Sequence, residues 1–286
     1  MAEAEIAFIG GSGLYDIDGL TDARQVSLDT PFGQPSDALT IGTFQGRRVA
    51  FLARHGKGHR HLPSEIPFRA NIYALKLLGV ERIISISAVG SLQENVAPLD
   101  IVVPDQIIDR TRGRVRTFFG DGVAAHVGFA DPFCPELKRD LVGTVRNMPV
   151  TVHDGGTYVV MEGPQFSTRA ESMLYRSWGA SIIGMTALPE AKLAREAEIC
   201  YATLALVTDY DVWHQTEAEV SVDLVVANLL KNVETTQALL PNISARIPES
   251  RTCNCQSALE RAIITSRELI PDEAKLRLSA IIGRYL

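Results

Sequence analysis

Two rhythms of apolar and polar positions alternate along the chain. Residues 6–9 form a short apolar run closed by Gly10, Gly11, Ser12 and Gly13. Residues 38–44 and 48–52 predict two strands, with Gln45 and Gly46 as the turn between them. Residues 82–88 are rich in β-branched side chains and predict a buried strand, as do 101–103, 158–161, 181–185 and 201–207. Helical spacing takes over in between. Ile72, Leu75 and Leu78 recur every third position, with Pro67 suited to the first turn and Gly79 to the C-terminal cap. Pro189 opens a predicted helix through residue 199. Another begins near residue 219 and carries Val222, Val225, Val226, Leu229 and Val233 on one stripe.

Strands alternating with helices predict an α/β fold, and the hairpin-like pairs predict a mixed sheet. No repeat, low-complexity stretch or linker interrupts it, so residues 1–286 read as one domain. The weakest boundary is 241–255, which holds two prolines. Beyond it, 257–269 and 272–286 predict short helices, a C-terminal extension at about 256–286 packed on the body.

Composition narrows the function classes. The chain is 46% hydrophobic and 22% charged, with a net charge of −6. An acidic chain is poorly suited to a nucleic-acid backbone, so no nucleic-acid partner is expected. No apolar run is long enough to span a bilayer, and the acidic start lacks the basic opening of a secretory leader. The expectation is a cytoplasmic protein with no membrane partner. Four cysteines are too few for a disulfide-built scaffold.

Candidate chemistry collects at predicted strand ends. The Gly10–Gly13 turn is either a plain tight turn or an anion cradle in which backbone N–H groups and Ser12 donate. It lacks the third glycine of a dinucleotide fingerprint and the Gly-Lys-Ser/Thr of a phosphate loop. Arg54 follows the 48–52 strand and reads either as a surface arginine or as a planar fork for phosphate. Ser87 and Thr186 add hydroxyl donors at two more strand ends, and such ends commonly line ligand crevices in α/β folds. One arginine with neutral donors can hold an anion on a net-negative protein, because the local field decides. Asp209 and Asp211 follow the 201–207 strand at alternate positions, which point the same way in an extended segment. A protonated and an ionised carboxyl together suit a purine ring nitrogen and its exocyclic amine, and two close carboxylates raise one pKa. A helix cap or a metal site are the other readings; no histidine pair at ligand spacing lies nearby.

In order along the chain stand IGGSGL (9–14), TPFGQPSD (30–37), LARHG (52–56), SAVGSL (87–92), PFCP (132–135), EGPQFSTRAES (162–172), GMTALPE (184–190) and TDYD (208–211). This set resembles the nucleoside phosphorylase superfamily, and within it the 5′-methylthioadenosine phosphorylases, over residues 6 to about 240. The resemblance implies a mixed sheet curled into a distorted barrel flanked by helices. It implies reversible phosphorolysis of methylthioadenosine to adenine and 5-methylthioribose 1-phosphate, with phosphate as co-substrate and no cofactor or metal. Position by position, Ser12, Arg54, His55, Ser87, Ala88 and Thr186 would bind phosphate, Ala88 through its backbone. Met185 would lie against the ribose and Phe166 on the base. Asp209, Tyr210 and Asp211 would bind substrate, with Asp209 the general acid. Relatives that prefer 6-oxopurines carry asparagine in this region, so Asp209 implies a 6-aminopurine. Ser167, Val222 and Val225 would set specificity, and His126 would reach a neighbouring subunit of a homotrimer or dimer of trimers. Ser12 and Ser87 stand where some relatives carry threonine, which preserves the hydroxyl. Cys253 and Cys255 resemble a Cys-x-Cys pair whose sulfurs can bond in thermophilic members; two ordinary thiols is the other reading.

Three competing functions stay open at this point. Arg-His-Gly after a strand also fits phosphatases in which His55 would be the nucleophile, although those place the motif on the first strand. A non-catalytic purine-binding or subunit-interaction protein would need no acid at Asp209. An inosine or methylthioinosine phosphorylase would differ only in the base it accepts.

Overall fold

A computed structural model of the chain describes residues 2–11, 19–214 and 222–286, with side chains in the last segment from Ala227 onward. The strands are β1 (Ile6–Gly10), β2 (Thr21–Val26), β3 (Leu39–Phe44), β4 (Arg47–Ala53), β5 (Arg82–Ser91), β6 (Ile101–Val103), β7 (Gln106–Arg110), β8 (Val152–Asp154), β9 (Thr157–Met161), β10 (Ile182–Gly184) and β11 (Cys200–Asp209). The helices are α1 (Phe68–Leu77), α2 (Pro135–Val145), α3 (Arg169–Ser177), α4 (Ala187–Glu196), α5 (Val222–Arg246), α6 (Asp272–Arg277) and α7 (Ser279–Ile282). The architecture is the expected α/β one, a mixed 11-stranded sheet with flanking helices.

β5 is the hub. Along its whole length it pairs in parallel with β11, from Cys200 opposite Arg82 to Asp209 opposite Gly90. On the other edge its first half pairs in parallel with β1, and only Gly90 and Ser91 pair with antiparallel β10. The sheet therefore forks between Ser85 and Gly90. Ser87 was expected at a strand end; it lies within a strand whose β1 partner has stopped. The fork gives Ser87 and Ala88 the open space that a strand end would have supplied.

Local sequence accounts for most boundaries. Gln45 and Gly46 both take positive φ (49° and 76°), the turn that matches strand twist between β3 and β4. α1 closes as expected. Gly79 takes φ 86°, its N–H bonds to Lys76 O and that of Val80 to Leu75 O, satisfying the last carbonyls. α3 opens with Thr168 accepting the Glu171 N–H while Glu171 accepts that of Thr168.

One expectation at the C-terminal side is corrected, and the boundary marked at 241–255 starts inside a helix. α5 runs through Pro241 to Arg246. Proline removes a hydrogen bond and crowds the preceding turn. Burial of Leu239, Leu240 and Ile243 against the sheet outweighs this. Residues 257–269 do not form a helix. Ile263 instead bridges to Ala125, and the N–H of Ile264 donates to Ala124 O, so a ribbon satisfies the backbone.

Candidate active site

The fork opens into a cavity of about 670 Å³. Arg54, His55, Ser87, Ala88 and Thr186 line one part of it, and Asp209 and Asp211 another. Met185 and Phe166 complete the wall between. Residues up to 157 positions apart in sequence thus share one space. Ser12 lies outside the described residues, as do the side chains of Val222 and Val225.

β4 carries Arg54 to the fork, and its N–H donates to Gly10 O at 2.8 Å. Its guanidinium is not a free fork for an anion. Nε and Nη2 grip Glu190 (2.6 and 3.3 Å), Nη1 donates to Ile86 O (2.9 Å), and Nη2 also donates to Ile9 O and Ser85 Oγ. Ile86 O is a carbonyl at the fork, so Arg54 satisfies a group that β1 and β10 leave bare. Among the described residues, one of its five N–H groups, on Nη1, has no acceptor. Glu190 also accepts from Tyr201 Oη at 2.9 Å. Sequence reasoning missed Glu190, since its partner is 136 positions away.

Ser87 Oγ lies 3.1 Å from Thr186 Oγ1, and Ser85 Oγ lies 3.4 Å from Ser87 Oγ. These hydroxyls form a short chain ending at Arg54. His55 Nδ1 lies 2.9 Å from His61 O, and its ring stacks on His59. Burial pulls the His55 imidazole down to about 4, with the His61 carbonyl opposing and Arg54's charge adding. His55 is therefore neutral near pH 7, and bonding Nδ1–H to His61 leaves Nε2 an acceptor.

At the other part, β11 ends on Asp209 after a register shift across Thr208. Asp209 Oδ2 accepts from Thr208 Oγ1 (2.6 Å), and Oδ1 from the Asp211 N–H (2.8 Å). Asp211 takes φ 51°, so simple extended alternation is not what aims both carboxyls inward. The strand has ended and a tight turn does it. Burial is the main cause that pushes the Asp209 carboxyl above its ordinary range; Thr208 and the Asp211 N–H oppose, and the Asp211 charge adds least. Burial likewise raises Asp211, against the Ser172 hydroxyl. Among the described residues Asp211 Oδ2 is buried without a hydrogen-bond partner, an acceptor available to a ligand. Such a couple can offer a proton at one carboxyl and accept at the other.

Other residues hold these groups. Asn228 and Asn232 of α5 donate to Thr208 O (2.7 Å) and Val207 O (3.0 Å), fixing the irregular end of β11. Arg114 donates to Met185 O and Leu188 O, both at 2.5 Å, and pins the turn into α4. Leu229 and Val233 add apolar wall. None carried a motif; only amide spacing on α5 could have flagged the asparagines.

Tyr210 and Ser167 do not line this cavity, and His126, expected at a neighbouring subunit's site, lies elsewhere on the chain. Tyr210 packs on Trp213 and His214 instead. Ser167 Oγ lies 3.6 Å from Met161 Sδ, and its hydroxyl acts on the Asp211 carboxyl, opposing the effect of burial. His126 is exposed on the ribbon beside Ala262, to whose carbonyl its N–H donates. Among the described residues no helix is long and apolar enough to cross a membrane.

Comparison with known proteins agrees with this geometry. A family described as the phosphorylase superfamily matches residues 5–244. The chain is 57% identical to an S-methyl-5′-thioadenosine phosphorylase of Koribacter versatilis, covering 99% of this chain and 97% of that one. It is 56% identical to one of Geobacter sulfurreducens, covering 99% and 100%. A methylthioadenosine phosphorylase structure from an Antarctic soil metagenomic library superposes with a TM-score of 0.94 at 54% identity, covering 98% and 99%. One from Schistosoma mansoni in complex with adenine gives 0.84 at 36%, covering 93% and 100%. This chain therefore belongs to the phosphorylase superfamily.

Proposed function

We propose that the chain catalyses reversible phosphorolysis of 5′-methylthioadenosine to adenine and 5-methylthioribose 1-phosphate, a step of purine and methionine salvage. The carrying observation is one cavity that joins a hydroxyl-and-arginine cluster to a buried carboxyl couple. Phosphate sits at Ser87, the Ala88 backbone, Thr186 and the remaining Arg54 Nη1–H, with His55 Nε2 accepting from the phosphate's own O–H and Ser12 contributing a further hydroxyl. The ribose lies along Met185, and the base lies by Phe166.

Cleavage of the N-glycosidic bond leaves positive charge on the sugar and negative charge on the base. Phosphate stabilises that cation and attacks C1′. Protonated Asp209 gives its proton to N7 of the leaving adenine. Burial raises its pKa and so favours the protonated form relative to an exposed aspartate. Asp211 accepts from the exocyclic amine through its unpartnered Oδ2. Leu229 and Val233, with Val222 and Val225 on the same helix, favour an apolar 5′ substituent over a hydroxyl. Ser167 acts through the Asp211 carboxyl that its hydroxyl contacts, and Tyr210 through its packing on Trp213 and His214. Fixed dipoles and positioning supply most of the acceleration.

No metal or organic cofactor takes part at this cavity. Residues 1–286 work as one catalytic domain in the cytoplasm. The assembly is a homotrimer or a dimer of trimers in which the exposed His126 completes a neighbour's site. Incubation with methylthioadenosine tests the reading. Adenine appears only when phosphate is present, and methylthioinosine is turned over far more slowly. Release of adenine without phosphate, or phosphate release from a simple monoester, would overturn it.

A further inference from the structure

The chain has four cysteines, and all four meet at one point that the cavity does not use. Cys134 is the N-cap of α2, Cys200 begins β11, and Cys253 and Cys255 bracket the start of the 3-10 turn Asn254–Ser257. Their sulfurs all lie within 4.8 Å of one another, with Cys200 and Cys253 at 3.3 Å. All are buried in the second apolar cluster, Cys253 being the least covered at 9% exposed. The cluster stands at the far end of β11 from Asp209, on the order of 30 Å along the strand.

Buried cysteines commonly serve as small apolar side chains. That role asks for contact with hydrocarbon, not for four sulfurs from three separate stretches to converge. The 3-10 turn brings Cys253 and Cys255 to the same side, and a helix N-terminus favours the thiolate form of Cys134. A tetrahedral site with zinc–sulfur bonds of about 2.3 Å places its sulfurs about 3.8 Å apart. The observed spread fits one ion and is too tight for a multi-iron cluster. Thiolates alone select soft or borderline metals over magnesium or calcium.

We propose that Cys134, Cys200, Cys253 and Cys255 bind one zinc ion as a closed structural site. Binding converts four thiols to thiolates and releases four protons, with no change of oxidation state. The ion ties the stretch after α5 to β11 and α2. Two arginines already hold the same junction: Arg251 donates to Glu198 O (3.0 Å) and Arg82 to Glu249 O (3.2 Å). The site is closed, with four protein ligands, so it takes no part in the reaction.

The test uses the full chain purified under reducing conditions without chelator. Elemental analysis finds one zinc per chain. The thiols resist a disulfide reagent until a mercurial releases the metal, and cobalt reconstitution gives the ligand-field spectrum of a tetrahedral thiolate site. Zinc removal lowers Tm, while kcat at a temperature where both forms are folded stays within about twofold. Cys255→Ser and Cys134→Ser each weaken metal retention; either soluble variant suffices. Substoichiometric zinc and cobalt in reduced wild-type protein would overturn the proposal. So would an intact mass lower by two or four hydrogens in protein isolated without reductant, which signifies disulfides in place of metal.

Discussion

The cavity contains two buried charge systems that the protein treats oppositely. Arg54 and Glu190 are each about 1% exposed and neutralise one another, and among the described residues both Glu190 oxygens and four of the five guanidinium hydrogens are engaged. Asp209 and Asp211 are nearly as buried, yet no cation figures among the groups that shift them. Burial raises both carboxyls, and among the described residues one oxygen is left without a partner. A paired buried charge is scaffold, since its energy is spent on its own partner. An uncompensated acid keeps its proton available for a ligand. The motif containing Arg54 looked like the reactive element, but the geometry makes that arginine first a strut and only then a donor.

The largest way to break this contrast is Glu190→Ala, which strands the Arg54 charge. Loss of one partner of a buried pair costs about 3–5 kcal/mol. The denaturation midpoint falls sharply, and phosphate KM rises as Arg54 loses its aim. Unchanged stability would mean the pair is not structural.

Glu196 is the control for a buried carboxyl away from the cavity. Burial pushes it up to about 7, against bonds from the Phe118 N–H and Thr117. A raised folded-state pKa contributes stability that is complete below the ordinary glutamate range and is lost as pH rises through about 7. The loss is on the order of 3 kcal/mol. Glu196→Gln flattens the pH dependence of unfolding without moving kcat; a shifted activity profile would place Glu196 in the chemistry.

Gly90→Ala sharpens the contrast at smaller cost. A Cβ there would stand 2.9 Å from Asp209 Oδ1 and 3.3 Å from Ile183. Displacing that carboxyl lowers kcat/KM by ~10- to 100-fold, while overpacking costs about 1–3 kcal/mol of stability. His55→Gln should be mildest. A neutral imidazole contributes one uncharged hydrogen bond, so phosphate KM rises about tenfold at most. A much larger effect would mean that bound phosphate holds His55 protonated.

How much of this was legible follows from the kind of interaction. β1, β4, β5 and β11 were readable because buried strands show continuous apolar runs, β-branched in β5. β2 was not: its sequence, TDARQV, is mostly polar, and it is held at the sheet edge by pairing with β3, an ion pair from Arg24 to Glu3 and the packing of Val26 on the core. The helix at α5 was readable, but its passage through Pro241 depends on burial that local propensity does not contain. Leu259, Ala262 and Ile263 carry a helix-like spacing, yet the chain turns tightly through Leu259 and Ala262 and then pairs at Ile263, because Ala124–His126 supplies backbone partners far away in sequence. At the site, Asp209 and Asp211 were readable as residue types after a strand. The turn that aims them and the partner that neutralises Arg54 were not, since both are properties of the fork.

The pH dependence of kcat/KM for Asp209→Asn beside wild type tests the central point most directly. The wild-type rate falls as pH rises through the elevated Asp209 pKa, because the proton is lost. The variant is ~10²- to 10⁴-fold slower, folds as stably, and lacks that alkaline limb. An asparagine variant with the wild-type rate and the same limb would show that the proton comes from elsewhere.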